Sequence, residues 1–234
     1  MKRAAAVFCV AVVLLWGAAL AGDAKTVEPF NGKDLTGWKL RGDPAKSGWK
    51  VGKAALDPAN PQHLVCGEGG TEMVNEVKGH AQGVDIYTEE KFGDVRLECE
   101  LMVAKGSNSG IYLMGEYEIQ VLDSLGNKNP GPGDMGGIYT TAAPKVNACK
   151  APGEWQKFVI DFIAPRFDAD GKKTANAKFV KVVLNDQVIH ENVEAPKPTG
   201  GELGKEVPQG PLLLQGNHGP VAFRNFKITP LAQK

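Results

Sequence analysis

The chain has 234 residues, and its 27 lysines and arginines balance its 27 aspartates and glutamates to a formal net charge of zero at pH 7. A surface without net charge offers no electrostatic attraction to nucleic acid or to an anionic membrane, so neither is expected as a partner. The length is sufficient for one sizeable β domain or two small ones with a hydrophobic core.

The first 21 residues are typical of a cleaved secretory signal peptide. Lys2-Arg3 gives a short basic start, residues 4–20 form an apolar run, and Ala19-Leu20-Ala21 has small residues where a signal peptidase reads them. The run is short for a membrane span, and Cys9 lies inside it rather than at its end, where a lipid anchor would need it. We therefore expect an exported protein, periplasmic or secreted, without a membrane anchor.

Three cysteines follow the signal peptide, namely Cys66, Cys99 and Cys149. In an oxidising compartment they allow one disulfide with one thiol left over, or no disulfide at all. The odd number argues against a framework that depends on disulfides.

Short segments in which apolar and polar residues alternate run through the rest of the chain. The clearest are residues 95–101, 158–162, 179–184 and 221–228, and glycines and prolines separate them. Outside the signal peptide, no window keeps a helical periodicity over several turns. Many short strands with evenly spaced turns are typical of an all-β sandwich or barrel, and no break has the composition of a linker between domains.

The connections between these segments carry their own signals. Asn185-Asp186 lies between two apolar runs and predicts a hairpin, and residues 168–171 predict a plain turn rather than part of a calcium loop. Residues 192–211 contain four prolines, so we expect an irregular surface excursion, with a lid beside a site as one alternative. Trp38 and Trp155 are single aromatic residues and are expected in the core.

Familiar catalytic and cofactor motifs are absent or lack their structural context. Residues 131–136 match G-x-G-x-x-G, but no helical pattern follows, so a loop is predicted rather than a dinucleotide site. The chain contains no G-x-S-x-G, H-E-x-x-H or C-x-x-C motif. His63, His80 and His190 are scattered and are expected on the surface or in loops. No local motif therefore indicates a cofactor, and a divalent metal stays open as an alternative.

Residues 108–124, NSGIYLMGEYEIQVLDS, predict two strands around a tight turn. With a three-residue turn at 115–117, Met114 pairs with Glu118 and one face of the hairpin is uniformly apolar. The other face then carries Asn108, Tyr112, Met114, Glu118 and Gln120.

Two interpretations fit this second face. It could be solvated, as one side of an antiparallel sheet often is. The presence of Tyr112 and Met114 argues against that, because a wet surface is usually charged. A ring to stack on, a carboxylate, and amides that exchange hydrogen bonds with hydroxyls are typical of a sugar site. The hairpin therefore favours a carbohydrate pocket on a concave sheet face.

A set of segments along the chain, each weak alone, resembles one family. The segments are FNGKDLTGW (30–38), FGDVRLE (92–98), NSGIYL (108–113), YEIQVLD (117–123), PGEWQ (152–156), LND (184–186), LQ (214–215), HG (218–219) and FRN (223–225). In combination they resemble the 3-keto-disaccharide hydrolase family over one domain, residues 28–231.

The resemblance implies a concanavalin A-like jelly-roll β-sandwich of two antiparallel sheets with a carbohydrate site on the concave face. It also implies an exported bacterial enzyme that acts on an oligosaccharide or glycoside already oxidised at C3 by a separate sugar 3-dehydrogenase. A ketone at C3 acidifies the proton on C2, so that a base can remove it and the glycosidic oxygen can leave from C1. Addition of water then gives net hydrolysis, and the scheme needs a base, an acid and a partner for the enolate oxygen.

On this sequence the resemblance makes Glu118 the first candidate for the base and His218 a second candidate for acid or base. The residues that it implies for substrate binding are Asn108, Tyr112, Gln120, Asp123, Tyr139, Gln215 and Arg224. For Arg224 a structural ion pair is an equal alternative, and Tyr139 could border the pocket or merely pack.

Two other classes of function compete with an enzyme that cleaves 3-keto-glycosides. One is a non-catalytic, lectin-like carbohydrate-binding module, because a fold does not determine a function. The other is an exported structural or adhesive domain, which would not need Glu118 on the same face as Gln120. Convergence of Glu118 and His218 on one substrate position would favour the enzyme, whereas an open, flat face would favour a binding module.

Overall fold

The structure is a computed structural model that describes residues 25–80, 82–201 and 203–232. The predicted signal peptide lies outside these residues. The described part is almost entirely β-structure with one 3-10 turn at Pro44–Lys46, and it contains no helix that could cross a membrane. Its strands are β1 (Trp38–Arg41), β2 (Trp49–Asp57), β3 (Asn60–Asn75), β4 (Asp85–Phe92), β5 (Val95–Val103), β6 (Asn108–Leu113), β7 (Tyr117–Leu122), β8 (Gln156–Ile163), β9 (Arg166–Phe167), β10 (Lys173–Ala175), β11 (Ala177–Leu184), β12 (Gln187–Ala195), β13 (Gly210–Leu214) and β14 (Val221–Pro230).

These strands form two large antiparallel sheets and a small ribbon. The five-stranded sheet has the order β1-β4-β13-β6-β7, the seven-stranded sheet has the order β12-β11-β8-β5-β14-β3-β2, and β9 pairs with β10. Strands that are distant in sequence become neighbours, since β13 lies between β4 and β6. This arrangement is a concanavalin A-like jelly roll, which confirms the predicted fold class.

The core lies between the inner faces of the two sheets and follows directly from the alternation in sequence. In β5, Leu97 and Leu101 are fully buried, and in β7 the facing residues Ile119 and Val121 are fully buried as well. Burial of each such side chain contributes about 1.5–3 kcal/mol to folding. Hydrophobic burial therefore holds the sheets together, and Cys66, Cys99 and Cys149 are all free thiols, which is the second of the two predicted alternatives.

The two tryptophans differ in their environments. Trp38 is buried in the main core with its ring centroid 5.7 Å from that of Phe226, as predicted. Trp155 is only partly buried and packs on a small second cluster that includes Val74 and Ala222. These residues alternate with core residues, so the cluster lies on the outer face of the seven-stranded sheet, and the prediction that Trp155 belongs to the core was wrong.

The predicted turns are present. Asn185 and Asp186 have φ values of 48° and 66° and join β11 to β12 as a two-residue hairpin turn, because a turn of this hand matches the twist of the strands. Residues 168–171 form a turn closed by a hydrogen bond from Gly171 N to Asp168 O, 3.1 Å long. His190 was predicted on the surface or in a loop, but it is buried in β12 with Nε2 2.8 Å from the carbonyl oxygen of Gly136.

The β6–β7 hairpin differs from its predicted register by two residues. Glu118 pairs with Tyr112 and Tyr117 pairs with Leu113, so the three-residue turn is 114–116 rather than 115–117. In this register the Tyr117 ring is fully buried, and its centroid is 5.3 Å from that of the Phe162 ring. The free energy gained by burying this ring is larger than the preference for one turn position over the other. A two-residue shift leaves the faces unchanged, except that Met114 enters the turn and packs into the core instead of lying beside Glu118.

Candidate active site

A polar cleft lies on the face of the five-stranded sheet that points away from the core. Its volume is about 160 Å³, room for about five water molecules at roughly 30 Å³ each, which suits one sugar ring. The cleft is lined by Asn108, Tyr112, Glu118, Gln120, Tyr139, Gly200, Gln215 and His218. Seven of the nine residues that the sequence indicated are therefore brought together, including both candidates for the proton-transfer groups.

One wall of the cleft comes from the loop that follows β7. Gly136 N donates to Gln120 O and Gln120 N donates to Gly137 O, each over 2.8 Å, so that this loop extends the sheet edge. A further hydrogen bond from Tyr139 N to Glu118 O, 3.2 Å long, brings Tyr139 to the rim. The Tyr139 side chain is 38% exposed, so its ring is available to stack on a sugar.

The opposite wall comes from the irregular connection between β12 and β13, described over residues 196–201 and 203–209. Sequence reasoning expected an irregular segment over 192–211, and the ends of that range are in fact strand. The Thr199 hydroxyl accepts a hydrogen bond from Glu118 N over 2.7 Å, and Thr199 N donates to Glu116 O over 3.0 Å. These two bonds place Gly200 against the cleft, so the segment does border the site.

The Glu118 carboxylate sits between two glycines. Glu118 is only 3% exposed, and it is directly cross-strand from Tyr112. A Cβ at Gly110 would lie 2.4 Å from Oε1, and a Cβ at Gly200 would lie 2.7 Å from Oε2. Both positions therefore need glycine for the carboxylate to occupy its observed place. Gly110 lies in the same hairpin as Glu118, within the segment NSGIYL (108–113). No sequence pattern indicated Gly200, because it meets Glu118 through a distant part of the chain.

Three amide side chains in the cleft have an oxygen that accepts no hydrogen bond from the described residues. Six buried side-chain polar atoms lack a partner among the described residues, and half of them line this cleft: Asn108 Oδ1, Gln120 Oε1 and Gln215 Oε1. Each buried acceptor without a partner costs about 1–3 kcal/mol. Gln215 Nε2 also donates to the Tyr112 hydroxyl over 2.9 Å and orients it. A ligand that carries several hydroxyl donors would satisfy these acceptors.

His218 occupies the other end of the cleft and is half-buried. Burial, followed by the nearby His80 side chain, lowers the pKa of His218, while Asp85 acts in the opposite direction. The His80 ring meets the His218 ring edge-on, with centroids 4.4 Å apart. We assign the proton to Nδ1, which contacts the amide oxygen of Asn217, so Nε2 carries a lone pair. His218 is thus a neutral imidazole suited to accept a proton, and no sequence pattern indicated its contact with His80.

Asp123 and Arg224 do not line this cleft, and their role in substrate binding stays a prediction. Asp123 Oδ2 accepts from Gly106 N over 2.9 Å and fixes the turn before β6. Arg224 Nε donates to Glu100 Oε2 over 2.8 Å, and the guanidinium carbon is 3.9 Å from the centroid of the Trp155 ring. Arg224 therefore makes the structural ion pair that was its alternative interpretation.

Size alone does not distinguish the cleft from other depressions on the surface. Two grooves elsewhere have larger volumes, about 460 and 440 Å³. None of the six unpartnered buried atoms belongs to a residue that lines either groove. In the described ranges, no three His, Cys, Asp or Glu side chains converge as a set of metal ligands. The cleft is distinguished by its buried carboxylate and its unsatisfied amides.

The fold and the cleft define a jelly-roll protein with a small polar cleft around a buried carboxylate. The model of the 3-keto-alpha-glucoside-1,2-lyase-like domain family matches residues 25–229. The chain belongs to this family, which confirms the resemblance seen in the sequence and identifies a carbohydrate-active protein. A search of curated proteins finds no match.

Solved structures agree with this assignment. A presumed glycosyl hydrolase from Parabacteroides distasonis is 28% identical with a TM-score of 0.67, over 88% of this chain and 84% of that chain. Two further presumed glycosyl hydrolases from the same organism have TM-scores of 0.58 and 0.57 at 18% and 21% identity. They cover 88% of this chain and 94% and 100% of their own, and at such identities they support the fold alone.

Proposed function

We propose that the protein cleaves the glycosidic bond of 3-keto-glycosides by elimination followed by addition of water. The observation that carries the proposal is the nearly buried Glu118 carboxylate in a one-ring cleft, with three amide oxygens that have no partner among the described residues. Membership of a family described as 3-keto-alpha-glucoside-1,2-lyase-like supports the substrate class. The 28% identical relative described as a presumed glycosyl hydrolase supports the type of bond.

The first half of the reaction is a proton transfer through Glu118. Its carboxylate removes the proton from C2, which the C3 ketone has acidified, and the electron pair moves into the enolate. The bond from C1 to the glycosidic oxygen then breaks, a C1–C2 double bond forms, and the leaving oxygen takes the proton from the Glu118 carboxylic acid. A positioned carboxylate of this kind contributes about 10²–10⁴-fold to the rate.

The amide side chains and His218 serve the remaining steps. The amide groups of Gln120 and Gln215 can donate to the C3 oxygen as charge develops there, and their carbonyls can accept from hydroxyls. In the second half, neutral His218 accepts a proton from the water that adds to C1, and the imidazolium returns that proton to C2. This completes the free 3-keto-sugar and restores neutral His218. Tyr139 covers the ring from the rim.

The setting of this activity remains a proposal based on sequence. The N-terminal apolar run with its small residues at 19 and 21 supports export, so the reaction would occur in the periplasm or outside the cell. The proposed substrate class requires a ketone at C3, and the family resemblance implies that a separate enzyme introduces it. A separate sugar 3-dehydrogenase would therefore supply the substrate.

The test is to incubate the purified mature chain with 3-keto-trehalose in D2O, with trehalose in a parallel reaction. We expect cleavage of the keto-sugar alone, deuterium at C2 of the released sugar, and loss of activity by about 10²–10⁴-fold in Glu118→Gln. The matched control is Glu89→Gln, which neutralises a side chain that is 52% exposed on β4, and the free keto-sugar in D2O measures exchange without enzyme.

Two other outcomes would overturn the proposal. Cleavage without deuterium at C2 would indicate direct displacement at C1 rather than elimination. Binding of either sugar without cleavage, weakened in Glu118→Gln, would show a lectin-like binding module instead of an enzyme.

A further inference from the structure

A second, larger groove adjoins the cleft and shares two residues with it. The groove has a volume of about 450 Å³, and Asn108 and His218 line both spaces. The cleft has room for one ring, so the rest of a bound glycoside has to extend through an opening. The shared wall at His218 provides this opening, and His218 is also where we place the addition of water to C1. The unit on the leaving oxygen would therefore enter the groove.

The ionisable groups that line this groove are all basic. They are Lys78 and Lys105 with the histidines His63, His80 and the shared His218, and no aspartate or glutamate among the described residues lines the groove. Such a bias is unexpected in a chain with equal numbers of acidic and basic residues. A groove lined by charges of one sign concentrates ligands of the opposite sign.

The two lysines are not neutralised by neighbouring groups within the described residues. Neither Lys78 nor Lys105 has a carboxylate within ion-pair distance there, whereas Lys39, Lys50 and Lys145 each form such a pair. Asp123 is close in sequence to this region, but its carboxylate accepts from Gly106 N and does not line the groove. Both ammonium groups can therefore donate to a ligand.

We infer that this groove is a second subsite, which binds the leaving unit of the glycoside through a carboxylate on that unit. The inference rests on the proposed function and adds a substrate class to it, namely keto-glycosides whose leaving unit is an acid, such as a uronic acid or a phenolic acid. Lys78 and Lys105 supply the attraction, and the histidine rings offer further hydrogen-bond donors.

The experiment compares two keto-glycosides that differ in one charge, 4-carboxyphenyl and 4-carbamoylphenyl 3-keto-glucoside. Each exposed ion pair contributes modestly to the free energy of binding. Two lysines acting together should therefore give the carboxyphenyl substrate a KM about tenfold lower than that of the carbamoylphenyl substrate. The preference should be lost in Lys78→Gln/Lys105→Gln and at high salt, so that the two KM values become equal. The control Lys53→Gln/Lys128→Gln removes the same net charge at exposed positions elsewhere and should keep the preference.

Equal KM values for the two substrates would overturn the inference, and so would a preference that survives in Lys78→Gln/Lys105→Gln. If neither substrate is cleaved, the proposed function fails, and the groove is tested separately by calorimetric binding of glucuronate and glucose. Tighter binding of glucuronate that depends on Lys78 and Lys105 would support the subsite. Equal binding of both sugars would reject it.

Discussion

Replacing Gly110 by alanine should displace the Glu118 carboxylate without removing it. Gly110 has no left-handed φ, so alanine is compatible with its backbone. The new Cβ would lie 2.4 Å from Glu118 Oε1 and 2.7 Å from Tyr112 Cε2, and ordinary contact begins at 3.4 Å. The carboxylate must therefore retreat by about 1 Å, and a displacement of that size costs about 10²-fold in rate. Overpacking should also lower the free energy of unfolding by about 1–3 kcal/mol.

The assay for Gly110→Ala measures kcat/KM on 3-keto-trehalose together with the unfolding temperature. Gly133→Ala is the matched control, because a Cβ there meets nothing within 4 Å and the backbone is again compatible. We expect the control to keep its activity and the Gly110 variant to lose about 10²-fold while remaining folded. A folded Gly110→Ala protein with full activity would refute the position or the role that we give to Glu118.

Two further predictions concern His218 and Arg224. Burial and His80 lower the pKa of His218, so the imidazole is neutral at pH 7 and kcat/KM should fall only as the pH drops below about 6.5. His80→Gln raises the pKa of His218 and should move this fall in kcat/KM to higher pH. An unchanged pH profile in His80→Gln would show that His218 is not the group whose protonation lowers kcat/KM. Arg224→Gln leaves Glu72 and Glu100, whose side chains are 14% and 25% exposed, without their cation. The variant should lower the free energy of unfolding, measured by urea denaturation, by about 1–3 kcal/mol. A raised KM in this variant would instead place Arg224 at the substrate.

Local alternation was enough to predict the faces of the β6–β7 hairpin. Because side chains alternate with a period of two, even a register error of two residues kept Glu118 and Gln120 on the face opposite the core. Gln215 and His218 could be associated with that face only through the family resemblance, because β13 joins β6 by a long-range pairing that no local pattern encodes. Gly200 reaches Glu118 through an irregular segment, for which sequence periodicity has no signal.

Strand β14 shows a different limit of sequence reasoning. The register of β14 against β5 shifts between Arg224 and Lys227, and Asn225 has a φ of 56°. A bulge of this kind breaks the alternation locally and redirects side chains. Alternation from Phe223 correctly places Arg224 on the outer face, but it would also place Phe226 there, whereas Phe226 enters the core. Strict alternation therefore cannot predict the direction of a residue that follows a bulge.

The cleft is an unfavourable part of the fold when it is considered without a ligand. Polar side chains elsewhere can satisfy one another, as Ser124 Oγ does when it donates to Asp134 Oδ1 over 3.0 Å and accepts from Met135 N over 3.0 Å. In the cleft, the amide oxygens of Gln120 and Gln215 have no such partner among the described residues. Folding alone would favour apolar or mutually satisfied side chains there, because each unpaired acceptor costs about 1–3 kcal/mol. Their presence around a buried carboxylate is explained if a hydroxyl-rich ligand completes the hydrogen bonds that the protein leaves open.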